Sequence, residues 1–499
     1  MKNLKKLLKQ KAYQEIWDSY CGFLDLTMEQ YMKIQTELME EQIRAYALSG
    51  LGKRFFGKNA PTTVEEFRNN VPFTQYEDYA DILLEEDESM LPESPVLWIQ
   101  TTWEGGLRPV KKAPYNRKML DVFRDRVAAC LLLSTSTGKC EFATENGDKM
   151  LYGLAPLPFI TGLVPAMLDE SLDMEILPPA QEAVKMSFSE RNKKGFQLAT
   201  EKGVDIFFGL GSVAYKVSKS LSAVTGKENL KPKDLFKLKG FLVAGTDNHC
   251  YKDDLEELWG VRPIELFAGT EASAVGIEIW SKNGMYFFPD TCFYEFIHKD
   301  DMYRCMQDAD FTPKTCLMDE VVPGEEYELV ISVLHGGAFV RYRSGDMFRC
   351  VAIGDEAERI YLPRFEYVDR APDVIDLAGF TRITEKEMEK VIACSGLTLE
   401  GWALIKDYAP NKHPFLHLYV EPAQGMTVAE EEIKKAVDNS FRQMDADYAD
   451  LKRLLGMNPL GVTVLQSGAF EVYRQECQME FPKFNPDKKR LKQLLEFDT

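Results

Sequence analysis

Apolar positions recur at helical spacing through Tyr20, Leu24, Leu26, Met28, Tyr31, Ile34 and Leu38, so residues 1–60 read as helical. Thr63 and Glu66, three apart in Pro61–Phe67, carry the signature of a capping box at the start of a further helix. Short β-rich runs then alternate with helical ones. Val204–Phe208 precedes a helix over Val213–Val224, Gly240–Ala244 precedes Asp253–Trp259, and Pro263–Phe267 follows. This alternation predicts an α/β body with a largely parallel sheet. From Phe287 to Val351 the pattern turns to strands and turns, at Tyr294–His298, Tyr327–Leu334 and Asp346–Ile353, which predicts an antiparallel or barrel-like part. Beyond Pro363–Pro372 come a short strand, a helix at Glu385–Cys394, strands at Trp402–Lys406 and Phe415–Val420, and a helix at Val428–Met444. That series makes a small α+β unit of about 130 residues, an ordinary domain size. The expected division is a body over residues 1–368 and a small domain over 369–499, joined by a hinge.

The composition, 45% hydrophobic and 28% charged, is that of a soluble globular chain. A net charge of -19 argues against a nucleic-acid surface, and any anionic ligand must be held by local cations and backbone amides. The longest apolar stretch, Val127–Leu133, is too short to cross a bilayer, so no membrane partner is expected. Met1–Lys11 carries five lysines and no apolar run of signal-peptide length. Ten cysteines without a Cys-x-x-Cys pair suit a reducing compartment, and the expectation is cytoplasmic. His413 and His417 are four apart but lie in an alternating apolar run without a third ligand, so they are read as structural.

Three tracts could carry chemistry. Arg341-Tyr342-Arg343-Ser344-Gly345-Asp346 places two cations and a carboxylate around a glycine turn, where Asp346 could accept hydrogen bonds from a ribose diol; a solvated hairpin would give the same pattern. Gly269-Thr270-Glu271 follows the strand ending at Phe267, and ligands in open α/β sheets sit at such strand ends. A hydroxyl and a carboxylate there could bind phosphate and Mg²⁺, although a helix N-cap by Thr270 would use the same residues. In Gln100–Lys112, hydroxyls, two glycines and three cations follow an apolar run and suit a phosphate-binding loop.

In this order and spacing the three tracts resemble the adenylate-forming superfamily, with its phosphate loop, [Tyr/Phe]-x-[Ser/Thr]-Glu motif, Tyr-Arg-x-Gly-Asp motif, hinge arginine and C-terminal lysine. Within it the chain is most similar to the Gretchen Hagen family of acyl-acid amido synthetases. That closer likeness rests on Phe67–Tyr79, on the turn Val243–Asp247, on Phe365–Arg370 with Thr384-Glu385, on Gly468–Phe470 and on Phe481–Pro486. The resemblance implies an α/β fold, with a large adenylate-forming body of mixed and parallel sheets plus a barrel-like part, and a small α+β C-terminal cap. It implies an ATP-dependent ligase that activates a small carboxylic acid as acyl-AMP and transfers it to an amino acid, with ATP and Mg²⁺ required. Thr101 and Thr102 would belong to the phosphate loop. Phe267 would wall the adenine, Gly269 and Thr270 would meet the α-phosphate side, and Glu271 would help hold Mg²⁺. Asp346 would bind the ribose, backed by Arg370. Lys483 would neutralise charge on the α-phosphate during carboxylate attack, with Lys488 as its rival. The acid itself is expected between the helix after Arg117 and the segments around Leu154–Gly162 and Phe207–Tyr215.

One departure from the family stands out. Trp103 and Glu104 replace a glycine and a hydroxyl of the usual phosphate loop, and a carboxylate there repels pyrophosphate unless a metal or Arg108 compensates. Two further readings follow: an acyl-CoA ligase on the same scaffold, or a nucleotide-binding relative without turnover.

Overall fold

A computed structural model of the chain describes residues 4–101, 110–225, 229–308, 310–423, 425 and 428–497. The chain divides into two units, the larger running to Val368 and the smaller taking residues 249–251 and everything from Asp369.

The larger unit is built on one twelve-stranded sheet. In chain order its strands are β1 (Lys149–Tyr152), β2 (Glu175–Leu177), β3 (Ile206–Leu210), β4 (Gly240–Ala244), β5 (Ile264–Gly269), β6 (Ser273–Glu278), β7 (Met285–Phe287), β8 (Cys292–His298), β9 (Thr315–Cys316), β10 (Glu326–Val333), β11 (Tyr342–Asp355) and β12 (Ile360–Arg370). They pair in the order β9-β8-β10-β11-β12-β7-β6-β5-β4-β3-β1-β2. The half from β5 to β2 is parallel, and β3 is buried along its whole length, as a strand covered by helices on both faces must be. From β5 onward the chain turns back on itself and the pairings β5–β6, β6–β7, β8–β10 and β10–β11 are antiparallel. Parallel and antiparallel parts therefore meet at β5.

The N-terminal segment is helical over Leu4–Gln10, Tyr13–Ile16, Met28–Ala47 and Gly50–Phe56, with a short π-helical turn at Trp17–Cys21. Helix Met28–Ala47 is tied to the sheet by polar side chains on its buried face. Tyr31 and Tyr46 donate from their hydroxyls to the carbonyls of Phe287 (3.3 Å) and Ala338 (2.8 Å), and Gln42 donates to that of Gly337 (2.9 Å). The expected cap at Thr63 is present, since its hydroxyl accepts from the Glu66 amide. Glu66 reaches one residue further back than a capping box requires, to the amide (2.8 Å) and hydroxyl (2.9 Å) of Thr62.

The smaller unit opens with a hairpin of Val374–Leu377 on Thr381–Thr384, and Thr384 and Glu387 then form a full capping box on helix Glu385–Ser395. Its three-stranded sheet pairs Leu399–Tyr408 antiparallel with Pro414–Pro422, which runs parallel to Leu460–Val464. In the first turn of helix Ala446–Leu455, Asp447 has its pKa pushed up to about 6, by burial first and then by the carboxylates of Asp445 and Asp450. In the unfolded chain the same carboxyl ionises near ~3.9, so its favourable contribution is present below that pH and is lost as pH rises through 6. Asp447→Asn is accordingly expected to raise the melting temperature at pH 7.5, with a gain that shrinks towards pH 4. A gain that is constant across this range in paired thermal melts would contradict the assignment.

Candidate active site

Five parallel strands end at one edge of the sheet, and three of them, β3, β4 and β5, finish at Leu210, Ala244 and Gly269. After Gly269 the chain makes a tight reversal through Thr270, Glu271 and Ala272 into β6, with Ser273 at φ +63°. No helix starts here, so the N-cap alternative for Thr270 does not apply; Thr270 and Glu271 form the tip of a hairpin. Tyr115 anchors that tip, donating from its buried hydroxyl to the Thr270 carbonyl at 2.9 Å. Below it, buried Lys252 bridges Glu265 and Glu278 at 2.9 Å each, which fixes β5 against β6. Burial raises the Glu278 pKa and Lys252 opposes the rise. Gly269 has no positive φ, and a Cβ there would meet only Glu271 Oε2, at an ordinary 3.5 Å.

From Tyr342 on, the Arg341–Asp346 tract lies inside a continuous strand. Arg343 pairs with Val330 and Met347 with Glu328, so three residues of β11 bulge out opposite one of β10. Gly345, at φ +71°, allows the bulge, which takes Asp346 out of the ladder. The expected glycine turn is thus a bulge: both require the same left-handed glycine. The two arginines face inward. Arg341 is buried against Glu295 (Nε–Oε2 3.1 Å, Nη2–Oε1 3.0 Å), and Arg343 makes a two-bonded pair with Glu328, 2.9 Å from its Nε. The Phe67–Tyr79 segment docks on this tract: Thr74 donates to the Arg341 carbonyl (3.0 Å) and accepts from the Arg343 amide (2.9 Å).

Side chains from both strand ends then converge. Phe267 stacks on Tyr367 with ring centroids 5.9 Å apart and meets Phe348 edge-on at 4.8 Å. The Tyr367 hydroxyl is 3.5 Å from Asp346 Oδ1, and the Tyr342 hydroxyl donates to Glu271 Oε1 at 3.2 Å. Phe267, Thr270 and Glu271 of one hairpin and Asp346, far along the chain, therefore share one neighbourhood. Tyr342 and Tyr367 join them there without having been assigned a role from the sequence, although both stood within the quoted motifs.

The other expected residues are placed as follows. Thr101 is buried; its amide donates to Lys111 O at 3.1 Å, and its hydroxyl has no partner among the described residues. Thr102, Trp103 and Glu104 lie outside the described residues. In the smaller unit, the Arg370 amide donates to Asp369 Oδ1 at 2.8 Å. Lys483 is held by its backbone at the edge of the three-stranded sheet, where Leu404 donates to its carbonyl at 2.8 Å, and its ammonium lies 5.8 Å from the Trp402 ring. Lys488 is exposed at the start of helix Lys488–Phe497.

Beside Ala268 lies an apolar cavity of about 50 Å³, lined by Phe123, Val127, Leu154, Phe208, Leu266 and others. These residues come from the helix Arg117–Ser134, from the segment after β1, and from β3 and β5. Among the described residues, no cluster of three or more His, Cys, Asp or Glu side chains could enclose a metal ion. Glu271 alone suits a cation such as Mg²⁺ that keeps waters and takes its remaining oxygens from phosphates.

The fold is similar to that of adenylate-forming ligases of known structure. The chain aligns over 98% of its length with 96% of "AtGH3.15 acyl acid amido synthetase in complex with 2,4-DB", at 16% identity and a TM-score of 0.56. It aligns over 90% of its length with 91% of a 2-hydroxyisobutyryl-CoA ligase in complex with 2-HIB-AMP and CoA, at 16% identity and a TM-score of 0.55. Such identities speak for the fold alone. Residues 21–122 match the GH3 family N-terminal domain and residues 285–370 the GH3 family central domain. Two stretches of the chain thus resemble the N-terminal and central domains of the GH3 family. Thr101, Asp346, Tyr367 and Arg370 lie within the matched regions, whereas Phe267–Glu271 and both lysines lie outside them. No curated protein sequence matches the chain.

Proposed function

We propose that the chain is an ATP-dependent acid–amino acid ligase. It activates a small carboxylic acid as acyl-AMP and passes the acyl group to an amino acid. The observation that carries this reading is the convergence of Phe267, Tyr367 and Asp346 beside the Thr270–Glu271 hairpin tip, next to an apolar cavity. In this reading the Phe267–Tyr367 pair walls the adenine and Asp346 accepts from the ribose hydroxyls, with Arg370 supporting it. Thr270 and Gly269 border the α-phosphate. Thr101 and Thr102 belong to the loop that receives the outer phosphates. Glu271, oriented by Tyr342, would hold a Mg²⁺, which would supply neutralisation of phosphate charge. The acyl body lies in the cavity lined by Phe123, Val127 and Phe208, whose apolar walls favour a short uncharged chain or ring.

Joining a carboxylate to an α-phosphate brings two anions together, so positioning and charge neutralisation supply most of the rate. Lys483 is assigned the neutralising role, with Lys488 as its rival. The acyl-adenylate is then consumed by the amine. A thiol acceptor would make the protein an acyl-CoA ligase, and mass spectrometry of the product separates amide from thioester.

The test is exchange of labelled pyrophosphate into ATP across a panel of small acids. Exchange that depends on an acid is expected, together with amino-acid-dependent net pyrophosphate release. Absence of exchange with every acid would overturn the reading and favour a nucleotide-binding protein without turnover, consistent with Trp103 and Glu104. Asp346→Ala is expected to weaken AMP binding by on the order of 10-fold or more in calorimetric titration, as loss of hydrogen bonds to a charged acceptor implies. Unchanged affinity would remove Asp346 from the ribose.

A further inference from the structure

A second and much larger cavity, of about 630 Å³, opens beyond the C-terminal ends of β1 and β2. Its walls include Tyr152, Leu154, Pro156, Pro165 and Ile176, and its volume is in the range that holds small-molecule ligands. Leu154 lines this cavity and the smaller apolar one, so the two lie side by side along the same edge of the sheet.

One wall carries Arg191, from helix Phe188–Lys202, whose side chain is almost wholly buried at 6% exposure. A buried guanidinium ordinarily has a carboxylate partner, because desolvating an unpaired charge is costly. Arg191 has none among the described residues. Nη1 donates to the Met186 carbonyl at 3.1 Å, the group sits 5.6 Å from the Phe188 ring, and Nε is buried without any partner. The two acids on the cavity wall do not supply the missing charge. Asp169 is exposed, and Glu175 is engaged by Lys202 at 2.6 Å. Burial lowers the Arg191 pKa, the direction expected of a cation short of counter-charge.

We propose that this cavity is a carboxylate-binding subsite, in which Arg191 holds the carboxylate of a small organic acid and the wall formed by Leu154, Pro156 and Pro165 holds its apolar body. The planar guanidinium suits a carboxylate because it can present two parallel donors. The inference rests on the proposed ligase reading for its place in the reaction. There the carboxylate has two possible sources: the α-carboxylate of the acceptor amino acid, or the distal carboxylate of a dicarboxylic acyl substrate.

The test uses the full chain and its Arg191→Gln and Arg191→Lys variants, titrated calorimetrically with L-phenylalanine, L-leucine, succinate and adipate, and with phenylalaninamide and leucinamide as uncharged-end controls. At least one carboxylate is expected to bind. Arg191→Gln should weaken that binding 10-fold or more, and Arg191→Lys should restore part of it. If an amino acid is the ligand, its amide binds at least 10-fold more weakly, and Arg191→Gln raises the amino acid KM while pyrophosphate exchange with a monocarboxylic acid is unchanged. If a dicarboxylate is the ligand, the KM of that acid in exchange rises and the KM of the amino acid does not. Binding of every probe equally by wild type and Arg191→Gln, with only a lowered melting temperature in the variant, would make Arg191 a structural residue and overturn the proposal. So would a lack of binding by every carboxylate. Carboxylate binding that persists in a protein without pyrophosphate exchange would reject the ligase reading and leave the subsite standing.

Discussion

Replacing Arg341 with methionine is expected to lower the stability of the larger unit by about 3–5 kcal/mol, the range for removing one partner of a buried ion pair. Glu295 is 1% exposed and would be left with the Thr315 hydroxyl at 2.7 Å and a distant Arg68 at 3.6 Å. Two backbone carbonyls, of Arg68 and Val71, would also lose the donor that now reaches them at 2.7 and 2.6 Å. Because the stranded carboxylate is the largest part of the loss, Glu295→Gln in the same chain should recover some of it, a coupling that a double-mutant cycle in urea measures. A single-variant loss below about 1 kcal/mol, or strict additivity, would refute this reading. The folded remainder of the Arg341 variant should bind AMP with unchanged affinity, because its guanidinium faces the Phe73 ring and Glu295 and not the Asp346 neighbourhood. Stability and nucleotide affinity are thus expected to separate within a single six-residue tract, with Arg341 governing the first and, in the proposed role, Asp346 the second.

That separation shows how far the sequence was legible. Runs such as Val204–Phe208 and Gly240–Ala244 announce buried parallel strands, because a strand covered on both faces needs no alternation, although the first strand forms at Ile206–Leu210. Gly345 announces a left-handed residue, yet a turn and a bulge use the same φ. Only the register between β10 and β11 decides between them. A motif also cannot say which way its charges point. Arg341 and Arg343 read as cations beside a ligand until Glu295 and Glu328, far away in sequence, are seen to hold them. The same ambiguity affected Thr270, whose hydroxyl and following glutamate suit a helix N-cap as well as a hairpin tip. Tyr342 and Tyr367 stand inside motifs, but nothing local says what their hydroxyls reach, since tyrosines are ordinary in strands; their contacts come from which strand ends the sheet brings together. Arg191 is the extreme case. It sits in an unremarkable polar stretch, Ser187–Lys194, and only the missing counter-charge beside a cavity marks it.

Lys483→Ala is expected to slow acid-dependent pyrophosphate exchange by on the order of 10²–10³-fold, the size of effect seen when a group stabilising transition-state charge is removed. AMP affinity should change little, because in the proposed role the ammonium meets charge that develops only as the carboxylate attacks. The substitution is also well tolerated by the local structure. The side chain is exposed, whereas the bonds that hold the segment use the backbone: Leu404 N to Lys483 O at 2.8 Å and Asn485 N to Leu404 O at 2.7 Å. Phe484 remains buried between them as an anchor. This pinning distinguishes Lys483 from Lys488, which stands at the N-terminus of the last helix, where the helix dipole disfavours a cation and no strand bond fixes its backbone. A residue that must deliver charge to one phosphate oxygen needs a defined origin, so Lys488→Ala is expected to cost less than 10-fold. The two variants are compared by exchange rate at saturating acid and ATP, with AMP titrations alongside. Equal losses of rate and affinity in Lys483→Ala would assign the lysine to ground-state nucleotide binding, and a larger rate loss in Lys488→Ala would transfer the catalytic role to the helix.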